Sequence, residues 1–61
     1  MNKPTIKLTD VDGNAFVIMS VVRLALREYG QKELIEQFTK EATSGDYDNL
    51  LQTVFKYCDV E

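Results

Sequence analysis

The fold of this 61-residue chain is decided by the stretch AFVIMSVVRLALREY, which occupies residues 15–29. Apolar side chains recur there at the i, i+3, i+4, i+7 spacing of a helix, and they form the stripe Ala15, Ile18, Met19, Val22, Ala25, Leu26 and Tyr29. Asp12 or Asn14 is placed to cap the start, and Gly30 stands where a C-cap glycine belongs. The sequence therefore predicts a helix over residues 14–29.

The first half of this stretch also has the composition of a β-strand. Residues 16–22 are rich in β-branched side chains, and Asp12 with Gly13 makes a good hairpin turn. A hairpin would pair residues 14–22 with a strand before the turn. The helix is the stronger prediction, because the helical spacing continues unbroken to Tyr29.

The remaining predicted elements are shorter. Alternating β-formers predict a strand over residues 5–9, and Val60 is able to pair beside it. Amphipathic patterns predict helices over residues 31–43 and 47–58. Their inner stripes are Leu34, Ile35, Phe38 and Ala42, and then Leu50, Leu51, Val54, Phe55 and Cys58. The predicted fold is mainly α (small α+β): a short N-terminal strand followed by a three-helix antiparallel bundle, in one domain over residues 1–61.

Composition restricts the sources of stability. A chain of this length buries only about 60% of the surface that its unfolded form exposes, so its stability is marginal without further support. The chain has one cysteine and no histidine. We therefore expect no disulfide within the chain, no zinc site and no cofactor. Self-association is the remaining support, with a dimer as the first expectation.

Charge and hydropathy bear on partners and compartment. The net charge is −3, and most acidic groups lie in residues 30–61. This imbalance is small, and Glu33, Glu36 and Glu41 on the second helix would repel phosphate, so no nucleic-acid partner is expected. No apolar run has the length of a signal peptide or a membrane span. We therefore expect a cytoplasmic protein without a membrane partner.

Catalysis is not expected either. Without histidine, Ser20 and Cys58 have no evident base to activate them. Cys58 falls on the inner stripe of the third helix, where it is expected to act as a small buried hydrophobe. The sequence therefore predicts a protein that is not an enzyme.

The helix over residues 14–29 is apolar nearly all round, and Ser20, Arg23 and Arg27 form one narrow polar stripe on it. A helix of this kind is typically covered on two sides. If its neighbours are too few to cover it, one side becomes an interface. The expected interface anchors and polar rim are Phe16, Val17, Val21 and Leu24, with Arg23 and Arg27. In the alternative, the strand and the third helix cover that side. The leading function is a non-catalytic, self-associating protein-interaction module.

The alternative function is of a different class, and its site would lie at the end of the molecule where the helices over residues 14–29 and 47–58 begin. Sequential antiparallel packing brings the turns before them together. A small ligand or nucleotide would be bound there, or sequestered, by Asn14, Ser44, Gly45 and Tyr47. Capping by carboxylates already explains the polar residues of these turns, so this remains the alternative.

Several runs carry a family resemblance: residues 8–16, 25–27, 41–48 and 50–51, and the final Asp-Val-Glu. Together they resemble a set of small uncharacterised proteins of bacteria, phages and other mobile elements, with TDxDGNAF and EATSGDYDxLL as the most specific motifs. The resemblance implies a compact stand-alone accessory protein, with a host or phage protein as a partner. Inhibition of a host defence enzyme is a further function that it suggests. It carries over no catalytic or binding residues.

Overall fold

The computed structural model describes residues 3–8 and 13–61. Its elements are β1 (Thr5–Ile6), α1 (Ala15–Glu28), a 3-10 helical turn (Lys32–Leu34), α2 (Ile35–Ala42), α3 (Tyr47–Tyr57) and β2 (Asp59–Val60). The mainly helical fold, with three α-helices and a short first strand among the described residues, confirms the predicted class. Thr9, at the end of the predicted strand, and Asp12, one of two predicted caps, lie outside the described residues.

Side-chain and backbone caps fix both ends of α1. The Oδ1 atom of Asn14 accepts a hydrogen bond of 2.8 Å from the backbone N–H of Phe16, which has no partner within the helix. At the other end, Gly30 adopts a φ of +85°, and the N–H of Gln31 donates to the carbonyl oxygen of Leu26 at 2.8 Å. This is the long bond of a Schellman motif, as the glycine in the sequence predicts.

The two short strands pair in parallel, with Thr5 opposite Asp59 and Ile6 opposite Val60. The prediction that Val60 pairs beside the first strand is confirmed. Residues 16–22 are helical, which excludes the hairpin alternative. β1 is shorter than predicted because its partner offers only two residues to pair with.

Five helix boundaries and one position on the α1 stripe differ from the prediction. α1 is one residue shorter than predicted at each end, because Asn14 and Tyr29 are its cap residues. The second helix was expected from residue 31, but Gln31 makes no capping bond and a 3-10 turn precedes α2, a common way for a helix to begin. α2 also stops at Ala42. The third helix stops at Tyr57, because Cys58 is already extended and leads into β2. Tyr29, expected on the inner stripe of α1, is its C-cap residue and is 47% exposed.

The core lies between the three helices and β1. Its fully covered members are Val22, Leu26, Phe38 and Val54, each 0% exposed. The rings of Phe38 and Tyr57 meet edge to face, with centroids 5.4 Å apart. On α3, the prediction that Phe55 faces the core is wrong, because this side chain is 51% exposed. The buried stripe is Leu50, Thr53, Val54 and Tyr57 at the i, i+3, i+4, i+7 spacing.

Candidate interaction surface

The helix α1 has one covered and one uncovered side. Ile18, Met19, Val22 and Leu26 are buried against the core. On the opposite side, Phe16 is 76% exposed, Leu24 is 54% exposed and Val17 is 39% exposed. The other helices and the strands of the described chain therefore leave a row of large apolar side chains in contact with solvent.

This uncovered row forms a shallow depression of about 320 Å³, lined by Phe16, Val17, Ser20, Val21 and Leu24. We call these five residues the open face. Val21 is half-buried and packs against the core, so it joins the open face to the interior. Sequence reasoning assigned Ser20 to a polar stripe, whereas its side chain lies at the middle of the open face. Contiguous apolar surface of this kind is typical of a contact site between proteins.

Two arginines accompany the second half of α1. Arg23 and Arg27 are exposed, and neither has an ion-pair partner within residues 3–8 and 13–61. Arg27 also lines a groove with Ile35 and Glu36 of α2. The two guanidinium groups are therefore available to a partner, as a polar rim requires.

At the start of α1, the structure brings together part of the predicted ligand end. The Tyr47 hydroxyl donates a hydrogen bond of 2.8 Å to the carbonyl oxygen of Gly13. The Asn14 side chain caps α1. Ser44 Oγ donates to the Glu41 carbonyl oxygen at 2.8 Å. These side chains make capping and turn contacts, which account for the polar residues at this end.

Gly45 follows Ser44 in the turn between α2 and α3, and the packing around it leaves no room for a side chain. A Cβ at Gly45 would lie 2.9 Å from the Cβ of Asn49, which real structures do not tolerate. Asn49 Nδ2 in turn donates to the Glu41 carbonyl oxygen at 2.8 Å and holds the turn against α2. Close packing of the turn, rather than a ligand, explains the glycine.

A polar contact between α2 and α3 was not foreseen. Lys56 Nζ donates to Glu41 Oε2 at 2.9 Å. The other carboxylate oxygen, Oε1, and the Tyr57 hydroxyl are buried, and neither has a hydrogen bond of good geometry to the described residues. The nearby Tyr57 hydroxyl, followed by Lys56, lowers the pKa of Glu41. An ionised Glu41 therefore fastens the two helices together, which is a structural role.

The single thiol is unsuited to nucleophilic chemistry in this setting. Cys58 is 1% exposed, and burial raises the pKa of its thiol to about 11. The thiolate is the reactive form, and at neutral pH this side chain is almost entirely protonated. The prediction that Cys58 acts as a buried hydrophobe is confirmed by its exposure.

No helix in the described ranges is long and apolar enough to cross a membrane. Among those residues, no three His, Cys, Asp or Glu side chains come together as metal ligands. No family model, curated protein or solved structure matches the chain, so the resemblance to mobile-element proteins stays a prediction.

Proposed function

We propose that this protein is a non-catalytic interaction module that binds a second copy of itself through the open face. The observation that carries the proposal is the exposure of Phe16 and Leu24 on the longest helix, beside three further residues without charge. Covering a Phe or Leu side chain completely stabilises a complex by about 1.5–3 kcal/mol. In a symmetric dimer, both copies of each of these side chains would be covered.

The affinity of this dimer depends on the balance between the entropic cost of association and the free energy gained by covering apolar side chains. Association costs about 4–15 kcal/mol in lost translational and rotational freedom, and Leu24 and Val17 are already partly covered in the monomer. The gain from the open face is of similar size. We therefore expect a dimer that dissociates on dilution, rather than a permanent one.

Light scattering coupled to size exclusion, over a hundredfold range of protein concentration, tests the proposal. Leu24→Asp is the decisive variant, since it places a charge in the open face without touching the core. Val21→Asp is less suitable, because Val21 also packs against the core. Phe55→Asp is the matched control: Phe55 on α3 is 51% exposed, close to the 54% of Leu24, and lies outside the open face.

We expect the wild type and Phe55→Asp to form dimers at high concentration and Leu24→Asp to remain monomeric with an unchanged helical circular dichroism spectrum. A wild type that is monomeric throughout the range contradicts the proposal. Equal dimerisation of Leu24→Asp and wild type contradicts the assignment of the open face.

A further inference from the structure

The charged groups near α1 are unevenly placed along its length. Arg23 and Arg27 lie in its second half, and its first turn contains no acidic residue. The Tyr47 hydroxyl donates a hydrogen bond to the carbonyl oxygen of Gly13, two residues before α1 begins, and this contact links the start of α3 to the start of α1. Asp46 and Asp48 flank Tyr47 in that segment and are exposed. The acidic residues Asp46 and Asp48 therefore belong to the segment that Tyr47 links to the start of α1, whereas the guanidinium groups belong to the second half of α1.

Other charges near the end of α1 do not remove this asymmetry. Glu28 lines a groove with Pro4 and Tyr29, whereas Arg27 lines a separate groove on the α2 side. Lys32, Glu33 and Glu36 line the same groove as Arg27, and the described residues contain no ion pair between Arg27 and either carboxylate. Arg27 is therefore exposed and makes no ion pair with the described residues.

The open face is smaller than a typical protein interface. A stable symmetric interface buries about 800 Å² per partner, about a fifth of this molecule's 4105 Å² surface. Five side chains, of which Val21 is half-buried, cannot supply this area alone. A contact that extends along α1, which is about 21 Å long, would meet Arg23 and Arg27 in its second half and the acidic start of α3 beyond its first turn.

Two copies of α1 can meet in parallel or antiparallel directions, and the charges distinguish the two. A parallel pair places Arg23 and Arg27 beside their own counterparts, which is a like-charge contact. An antiparallel pair places them beside the partner's acidic segment. The helix macrodipoles favour the antiparallel pair as well.

The side-chain sizes on the open face agree with an antiparallel crossing. Phe16, Ser20 and Leu24 follow one another at i, i+4 and i+8 on one side of the helix. A crossing at Ser20 places the small side chains opposite each other, so the two backbones can approach closely. It also sets Phe16 of each copy against Leu24 of the other.

We infer that the open face binds a second copy whose α1 runs antiparallel to the first and crosses it at Ser20, with Arg23 and Arg27 of each copy next to Asp48 of the other. This inference rests on the proposed self-association and adds its direction and its charge contacts.

Disulfide cross-linking of the full chain tests the direction. The variants are Phe16→Cys, Ser20→Cys and Leu24→Cys, and the buried Cys58 stays in place as an unreactive thiol. A disulfide requires Cα atoms about 4.4–6.8 Å apart. We expect Ser20→Cys to cross-link to its own copy on mild oxidation. Phe16→Cys and Leu24→Cys should each cross-link poorly alone but efficiently when mixed, through a 16–24 disulfide identified by mass spectrometry.

Charge reversal tests the second part of the inference. Arg27→Glu should raise the dimer dissociation constant about threefold to tenfold. The effect is modest because the variant loses two symmetric ion pairs, and each exposed ion pair contributes little to the binding free energy. Adding Asp48→Lys to the same chain should restore most of the affinity. Asp46 is left unchanged because it caps α3 through the N–H of Asn49.

The outcomes separate the inference from the proposed function. A dimer by light scattering in which Phe16→Cys and Leu24→Cys each cross-link to their own copies would show a parallel pair and overturn the inference alone. A dimer with no cross-link at any of the three positions, or with no rescue by Asp48→Lys, overturns it as well. A monomer at all concentrations overturns both proposals.

Discussion

The hydroxyl of Tyr47 donates a hydrogen bond of 2.8 Å to the carbonyl oxygen of Gly13, across 34 positions of sequence. It joins the first residue of α3 to the backbone two residues before α1. Gly13 has a φ of +83°, a backbone conformation that favours glycine. The contact therefore depends on the residue type at each of its ends. Tyr47 supplies a hydroxyl at the end of a long side chain, and Gly13 adopts a backbone conformation that other residues rarely adopt.

Removing this hydroxyl should weaken the domain slightly. Tyr47→Phe keeps the ring and deletes the donor, and a single hydrogen bond at a partly exposed position contributes about 0.5–1 kcal/mol to the free energy of unfolding. Urea denaturation followed by circular dichroism measures the change. An unfolding midpoint unchanged by Tyr47→Phe would mean that the contact does not stabilise the fold.

Two leucines on α1 should respond very differently to truncation. Leu26 is 0% exposed and Leu24 is 54% exposed. Leu26→Ala should lower the free energy of unfolding by about 2–5 kcal/mol, enough to unfold much of so small a domain. Leu24→Ala should change it by less than about 0.5 kcal/mol in dilute solution, where the monomer predominates. Denaturation at low protein concentration measures both, and similar losses would contradict the two-sided description of α1.

Gly30 should tolerate asparagine better than alanine. Its φ of +85° is unfavourable for a side chain, although a Cβ there would meet no atom within 4 Å. Gly30→Ala should therefore cost about 1 kcal/mol from backbone conformation alone, and Gly30→Asn should cost less, because asparagine adopts this region more readily. Thermal denaturation of the two variants checks the order. Equal losses would indicate a cause other than backbone conformation.

Cys58 should make stability fall in alkaline solution. Burial raises the pKa of its thiol from 9.0 to about 11, so the unfolded chain releases this proton at lower pH than the folded one. The contribution to stability is therefore complete below pH 9 and is lost as pH rises from 9 to 11. Cys58→Ala should flatten this part of the curve of unfolding free energy against pH. A slope that Cys58→Ala leaves unchanged would contradict a buried, protonated thiol. Burial also raises the pKa of Tyr57, so some loss of stability above pH 10 should remain in the variant.

The helices were predictable where local signals agreed. In α1 the apolar period, Asn14 as a cap and Gly30 as a terminator all indicate the same element, and they outweigh the β-branched residues 16–22. The stripe on α3 was harder, because Phe55 and Tyr57 are both aromatic. The choice between them depends on where Phe38 of α2 lies, which no local pattern gives.

The open face was partly predictable. A helix that is apolar nearly all round indicates two covered sides, but whether the second cover comes from the same chain depends on tertiary packing. The strand β1 lies along one edge of α1 and leaves Phe16, Val17 and Leu24 uncovered. The place of Ser20 in the middle of that face was missed, because the pattern grouped it with Arg23 and Arg27.

The parallel pairing of β1 and β2 sets an order of assembly during synthesis. Ile6 leaves the ribosome before α1, α2 and α3, whereas its strand partner Val60 follows these three helices. Closing a loop on the order of fifty residues has an entropic cost that local helical contacts do not have. We therefore expect α1 to α3 to form first on the nascent chain, and the apolar contacts of Ile6 to be completed last, when Val60 secures the N-terminal strand in its place.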